Sequence, residues 1–202
     1  MSVIDKVVAA ITPPESAQDR QEARQKAEAL AQPGDWLSQI LDHHRGIEAG
    51  FAELKAATDA TSRHDAQKKL GVLLTAHSNA EEVAVYPALA ADHQVMHAEL
   101  AYQEQSAAKM ELGLLERLDP MSQDYADKLG HIEGAVLHHV YSEEGTWYAQ
   151  LAESATPAER TMITDRYNEE YERYLGSDGI EGSTAMGDRP AMFAQGTSDM
   201  LA

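Results

Sequence analysis

The chain has 202 residues, and its 34 acidic against 16 basic side chains give a formal charge of −18, which argues against phosphate backbones and anionic membrane surfaces as partners. It contains no cysteine, so disulfides, thiolate ligands and cysteine nucleophiles are excluded and any metal must sit on nitrogen and oxygen. The length suits one domain with extensions, aromatic residues at only 6% favour helices over a β-sandwich, and nothing approaches the ~20 apolar residues of a membrane span, so a cytoplasmic protein is expected.

In chain order, Val3 to Ile11 is apolar on one side and stops at Thr12, Pro13 and Pro14. A very polar helix is predicted from Ser16 to Ala31, ended by Pro33 and Gly34. Asp35 can cap a first long helix from Trp36, with the stripe Leu37, Ile40, His44, Ile47, Phe51, Leu54 at spacings of three and four. Ser62, with Asp65 three residues on, reads as the start of a second helix carrying Leu70, Leu73, His77, Glu81, Ala84, Ala88. A third helix is predicted over roughly Ala91 to Leu118, with His97, Ala101, Gln105, Ala108, Leu112 and Leu115 on one line, ending at Asp119 and Pro120. Ser122 caps a fourth, with Leu129, Ile132, Val136, His139, Glu143 and Trp147. Thr156, Pro157 and Glu159 start a fifth, to about Leu175, expected to pack outside the others through Ile163, Tyr167, Tyr171 and Tyr174. From Gly176 on, repeated glycines with Pro190 predict an irregular tail that Met192 and Phe193 could anchor. The expected organisation is a helical extension over 1–34, a bundle over 35–153, an extra helix over 154–175 and a tail over 176–202.

Three His-x-x-x-Glu pairs occur, His44 with Glu48, His77 with Glu81 and His139 with Glu143, against about one expected by chance. Placement carries more than number. Two of the pairs lie in the apolar stripes of separate helices, where an unpaired Glu costs several kcal/mol and no Lys or Arg is at hand. A divalent cation neutralises the carboxylates and uses the imidazoles. The i, i+4 spacing stacks imidazole and carboxylate on one face about 6 Å apart, so both reach an ion on the bundle axis. Imidazole and carboxylate donors suit iron first, with manganese or zinc as alternatives; calcium and magnesium demand more oxygen.

The segments Leu41-Asp42-His43-His44-Arg45, His77-Ser-Asn-Ala-Glu81-Glu82-Val-Ala-Val-Tyr86-Pro87 and His138-His139-Val-Tyr-Ser-Glu143-Glu144-Gly145 resemble the hemerythrin/HHE cation-binding family. The similarity spans about Trp36 to Leu151. It implies an all-α, up-down-up-down four-helix bundle with a non-haem di-iron centre, to which the residue pattern above adds an N-terminal helical extension and an extra C-terminal helix. It implies ligands at His44, His77, Glu81, His139 and Glu143, with both Glu as bridges, and a helix-ending step at Tyr86-Pro87. Where the family usually has Glu-His on the third helix, this chain reads Glu104-Gln105. Gln105 in place without strong coordination is the first expectation; His97, Glu104 or Glu48 are the other candidates for the missing donor.

His43, His64, His93, His131 and His138 lack a partner pattern and default to surface or supporting positions, as do Glu82 and Glu144, which sit 100° of rotation beyond the ligating Glu. Tyr86, Tyr141 and Tyr148 read as core residues whose hydroxyls can donate hydrogen bonds near the site. No serine elbow or phosphate-cradling loop is present. The resemblance implies reaction with dioxygen or peroxide, in a catalase-like or ferroxidase-like enzyme or in a carrier. The rival is a metal-stabilised sensing or binding module that meets a protein partner or a second copy of itself.

Overall fold

The computed structural model describes residues 15–176. The predicted Val3 to Ile11 segment and the tail beyond Gly176 lie outside the described residues. Helix α1, Ala17–Leu30, opens with a reciprocal cap: the Ser16 hydroxyl accepts from the Asp19 N–H, and the Asp19 carboxylate accepts from the Ser16 N–H. Asp35 caps α2, Trp36–Ala56, accepting from the Ser38 N–H at 2.9 Å.

The next helix, α3, spans Ala60–Ala80 and begins at Asp59, not at Ser62. The Asp59 carboxylate accepts from both the N–H and the hydroxyl of Ser62, at 2.9 and 2.8 Å. Ser62 is therefore already the third helical residue, and a stronger acceptor three positions earlier overrides the Ser62–Asp65 pattern.

Pro87 does not end this rod. A π-helical turn over Glu81–Val85 carries α3 into α4, Tyr86–Ala91, and Pro87 sits in the first turn of α4, where its missing N–H is tolerated. The rod ends instead at His93, whose φ of 64° is unusual for a residue with a side chain, while the Gln94 N–H closes back on the Leu89 carbonyl at 2.9 Å. The third long helix, α5, is accordingly shorter than expected, Val95–Leu115. Ser122 caps α6, Gln123–Ser142; a second π turn, Glu143–Trp147, leads into α7, Tyr148–Ser154. Thr156 and Glu159 form the second reciprocal cap, opening α8, Pro157–Leu175.

Four rods result: α2, α3 with α4, α5, and α6 with α7. Their short connections make chain neighbours antiparallel, giving an up-down-up-down four-helix bundle. Helix α1 lies against α2, α6, α7 and the second π turn, where Gly145 admits it closely: a Cβ there would stand 3.2 Å from the Cβ of Ala23. Helix α8 packs on α2, α3 and the first π turn and buries Ile163 and Tyr167. Arg160 ties these additions together, pairing with the Asp35 carboxylate and donating to the carbonyls of Leu30 and Ala152. Among the described residues no helix is long and apolar enough to cross a membrane.

The core divides in two. One apolar cluster gathers Trp36, Leu37, Ile40, Tyr86, Leu89, Trp147 and Tyr148; the other gathers Ile47, Phe51, Leu54, Leu70, Tyr125, Leu129 and Ile132. The polar residues of the stripes lie between them, in a layer with almost no contact with water.

Candidate metal centre

The polar interruptions that reach this layer come from different rods. His44 comes from α2, His77 and Glu81 from the end of α3 and its π turn, and Glu143 from the second π turn; all four are buried, with ligand atoms within 4.8 Å of one another. His139, one turn before Glu143, adds a third imidazole. His44 Nε2 faces Glu143 Oε2 at 3.3 Å, His77 Nε2 faces Glu81 Oε2 at 3.2 Å, and His139 Nε2 faces Glu143 Oε1 at 3.0 Å. Glu143 therefore presents one oxygen to the His44 side and the other to the His139 side.

These spacings fit donors to a shared ion. Two ligand atoms each about 2.1 Å from one metal stand roughly 3.0–3.4 Å apart at right to tetrahedral angles. His44 Nε2 and Glu143 Oε2 face one another in the closed core without a hydrogen-bond partner, an arrangement that burial penalises unless something else occupies them.

The other nitrogen of each ring is held from behind. His44 Nδ1 donates to Glu144 at 2.8 Å and His139 Nδ1 to Glu104 at 2.8 Å; a carboxylate only accepts, so a proton is on Nδ1 and Nε2 is the nitrogen turned toward the cluster. The phenol of Tyr167 lies 3.1 Å from His77 Nδ1 and 2.7 Å from His43 Nδ1. With one proton, the phenol donates to one of these rings and accepts from the other. Glu144 is held in turn by the Arg24 guanidinium at 2.7 Å.

Charge in the layer is unbalanced without a cation. Burial and the charge of Glu143 raise the Glu81 carboxyl well above its ordinary range, whereas His139 and His44 outweigh burial to hold Glu143 below its own. Burial disfavours a charged His44, but the Glu143 and Glu144 carboxylates prevail and push it up to about 9; for His139, Glu143 and Glu104 likewise prevail, to about 10. His77, buried and flanked by His44 and His43, lies well below the usual imidazole range. Protons thus take the place of a cation at neutral pH.

Residues 35–151 match the hemerythrin HHE cation-binding domain. The chain belongs to the hemerythrin HHE cation-binding family. A crystal structure of a hemerythrin HHE cation-binding domain-containing protein from Mycobacterium kansasii shares the fold, with a TM-score of 0.63 at 21% identity, over 76% of this chain and 94% of that one. A protein from Nostoc sp. named "DNA nickase" is 27% identical over 111 residues, 55% of this chain; the chain spans 31% of that relative's length. Membership makes this a metal-binding hemerythrin domain, and the buried His and Glu cluster is its candidate site.

Within the hemerythrin domain, four candidates for the missing third-helix donor occupy four different places. Glu48 turns outward to Arg24 at 2.9 Å with its side chain 40% exposed, so it does not join the cluster. It lies at the edge of the α2 face, where a guanidinium from α1 and solvent compete successfully for it. His97 stacks on Trp147, ring centres 5.5 Å apart. Glu104 stands behind His139. Gln105 is buried at the cluster, and its amide nitrogen donates to Glu81 Oε2 at 2.5 Å.

Cation binding must displace the protons on His44, His139 and Glu81, because the donor atoms are those the protons occupy. We expect two to three protons released per chain at pH 7, roughly, and a zinc affinity that rises at least about tenfold per pH unit between pH 6.5 and 8.5. Competition against a chromophoric chelator measures it; a flat profile would mean that the imidazoles are already free. The metal-free chain should show the opposite trend. For His44 and His139 the folded value exceeds the ordinary 6.5, so their stabilisation is full below about 6.5 and is lost as pH rises through about 9 and about 10.

Proposed function

We propose that the bundle holds two iron ions and binds or reacts with dioxygen or peroxide. The observation that carries this reading is Glu143, one oxygen facing His44 and the other His139, with Glu81 alongside and imidazoles on both sides. His44 and His77 with the two carboxylates would hold one ion, and His139 with the same carboxylates the other. Nitrogen and oxygen donors without thiolate suit iron. Iron bound there supplies one-electron chemistry with oxygen or peroxide that no side chain in the layer offers. The protein's share is to exclude bulk water with the two apolar clusters and to fix the three imidazoles through Glu144, Tyr167 and Glu104. Loss of a histidine to Gln105 leaves the His139 side short of a strong donor, which favours reaction over reversible carriage.

Elemental analysis of freshly purified protein, with optical spectra before and after reduction and after peroxide, tests this. Two irons per chain, an ultraviolet band that bleaches on reduction, and peroxide consumed with repeated turnover are expected. Oxygen binding without peroxide turnover would point to carriage.

A second reading, a metal-stabilised sensing module, is favoured by one observation. The hydrogen bonds behind His44 and His77 run out to Arg24 on α1 and Tyr167 on α8, both outside residues 35–151. Gain or loss of metal is thereby felt by two surface helices. Zinc in place of iron, a silent spectrum and a large stability loss on chelation would select it. The nicking activity in the name of the Nostoc relative is not part of either reading, since a chain of net charge −18 repels a phosphate backbone.

A further inference from the structure

The two sides of the centre are unequally supplied. His44 and His77 both serve one side, while His139 is the single imidazole on the other, where α5 offers only Gln105. That amide is engaged as a donor to Glu81, which leaves its oxygen buried and without a partner. A different group already stands among the donors there. The hydroxyl oxygen of Tyr86 is 3.2 Å from His139 Nε2, 3.0 Å from Glu143 Oε1 and 3.4 Å from Glu81 Oε2.

We propose that the hydroxyl oxygen of Tyr86 is itself a metal ligand, completing the His139 side of the centre in place of the absent third-helix histidine. The inference rests on the two-iron reading above. Three facts carry it. First, the distances from Tyr86 to His139 and Glu143, 3.2 and 3.0 Å, fall within the 3.0–3.3 Å spacing of the imidazole and carboxylate pairs, with Glu81 slightly farther at 3.4 Å. Tyr148 behaves differently: it lies 2.7 Å from Glu81 and 2.6 Å from Glu143, is bonded to no imidazole, and is a hydrogen-bond donor to the carboxylates by length and by partner. Second, the Tyr86 hydroxyl touches an imidazole nitrogen and an oxygen of each carboxylate at once, so an ion held by those three atoms has the phenol oxygen beside it.

Third, the backbone is built to bring it there. In an α-helix residues 81 and 86 would point about 140° apart. The π turn instead joins the Tyr86 N–H to the Glu81 carbonyl, five residues back, and stacks the phenol above the carboxylate. The same device recurs at Glu143 and Tyr148. Behind both is a repeat in the sequence, His-x-x-x-Glu-Glu-x-x-x-Tyr, at 77–86 and 139–148. The repeat supplies a ligand on one side and a donor on the other.

The test loads the full chain with ferrous iron in air and records iron content, the visible spectrum and resonance Raman. Wild-type protein should show a visible phenolate-to-iron(III) charge-transfer band with enhanced tyrosine ring modes. Tyr86→Phe should lose that band while still holding iron, and Tyr148→Phe should keep it. Iron bound without the band in the wild type, or a band that survives in Tyr86→Phe, overturns the assignment and leaves the two-iron reading intact. Should Tyr86→Phe not fold, the wild type and Tyr148→Phe still decide, since a band lost in Tyr148→Phe overturns it equally. Failure of the wild type to take up iron is read separately, from elemental analysis, and sinks both readings.

Discussion

Glu143→Gln is expected to empty the centre, lowering metal per chain roughly tenfold or more, whereas His139→Ala should leave about half of the wild-type metal. The contrast follows from position. Glu143 alone places an oxygen against an imidazole on each side, 3.3 Å from His44 and 3.0 Å from His139. Gln keeps the volume but offers one neutral oxygen and an NH2 group that repels a cation. The metal-free variant should also be less stable than metal-free wild type, because it strips His44 and His139 of the carboxylate that holds them protonated and the Tyr86 and Tyr148 hydroxyls of a charged acceptor. Elemental analysis with thermal melts of chelated protein checks both halves. Full metal content in Glu143→Gln would mean that the carboxylate is not shared.

The second large effect lies outside residues 35–151. Arg24→Met should destabilise the protein by about 2–4 kcal/mol, a fall in Tm of roughly 5–10 °C. Glu48→Gln, which removes the exposed partner of the same guanidinium, should cost under about 1 kcal/mol. Arg24 donates to Glu144 through Nη2 at 2.7 Å and through Nε at 3.1 Å, and Glu144 is 2% exposed. Without Arg24 that carboxylate stays buried with His44 as its single remaining hydrogen-bond partner among the described residues. Zinc affinity should also fall by about tenfold, since Glu144 orients His44. Circular dichroism melts and chelator competition measure the two effects. Equal shifts in the two variants would show that His44 alone satisfies Glu144.

The bundle was legible because its four stripes are long, regular and interrupted by the same residue types. His77 with Glu81 and His139 with Glu143 stand out for the reason that makes them useful, a polar group at a position that otherwise demands an apolar one. What was not legible depends on rotation and on distance along the chain. A strict 3.6-residue period places Tyr86 and Tyr148 away from the Glu five positions earlier; only the π turns bring them round. Helical rotation places Glu144 at a supporting or solvated position, and its burial depends on α1, whose polar sequence gives no sign that Arg24 points inward. Periodicity places Tyr167 on an apolar side of α8, and nothing local shows that its hydroxyl lands between His43 and His77, 124 and 90 residues earlier. The repeat at 77–86 and 139–148 was the one visible signal for the tyrosines.

The partners behind the three imidazoles differ in kind. His44 leans on a carboxylate clamped by a guanidinium, His139 on a carboxylate that reaches toward solvent, and His77 on a neutral phenol. A full negative charge at Nδ1 pushes electron density toward Nε2; a phenol pushes less. Donor strength therefore runs downhill across the layer, and two ions held there would not be twins.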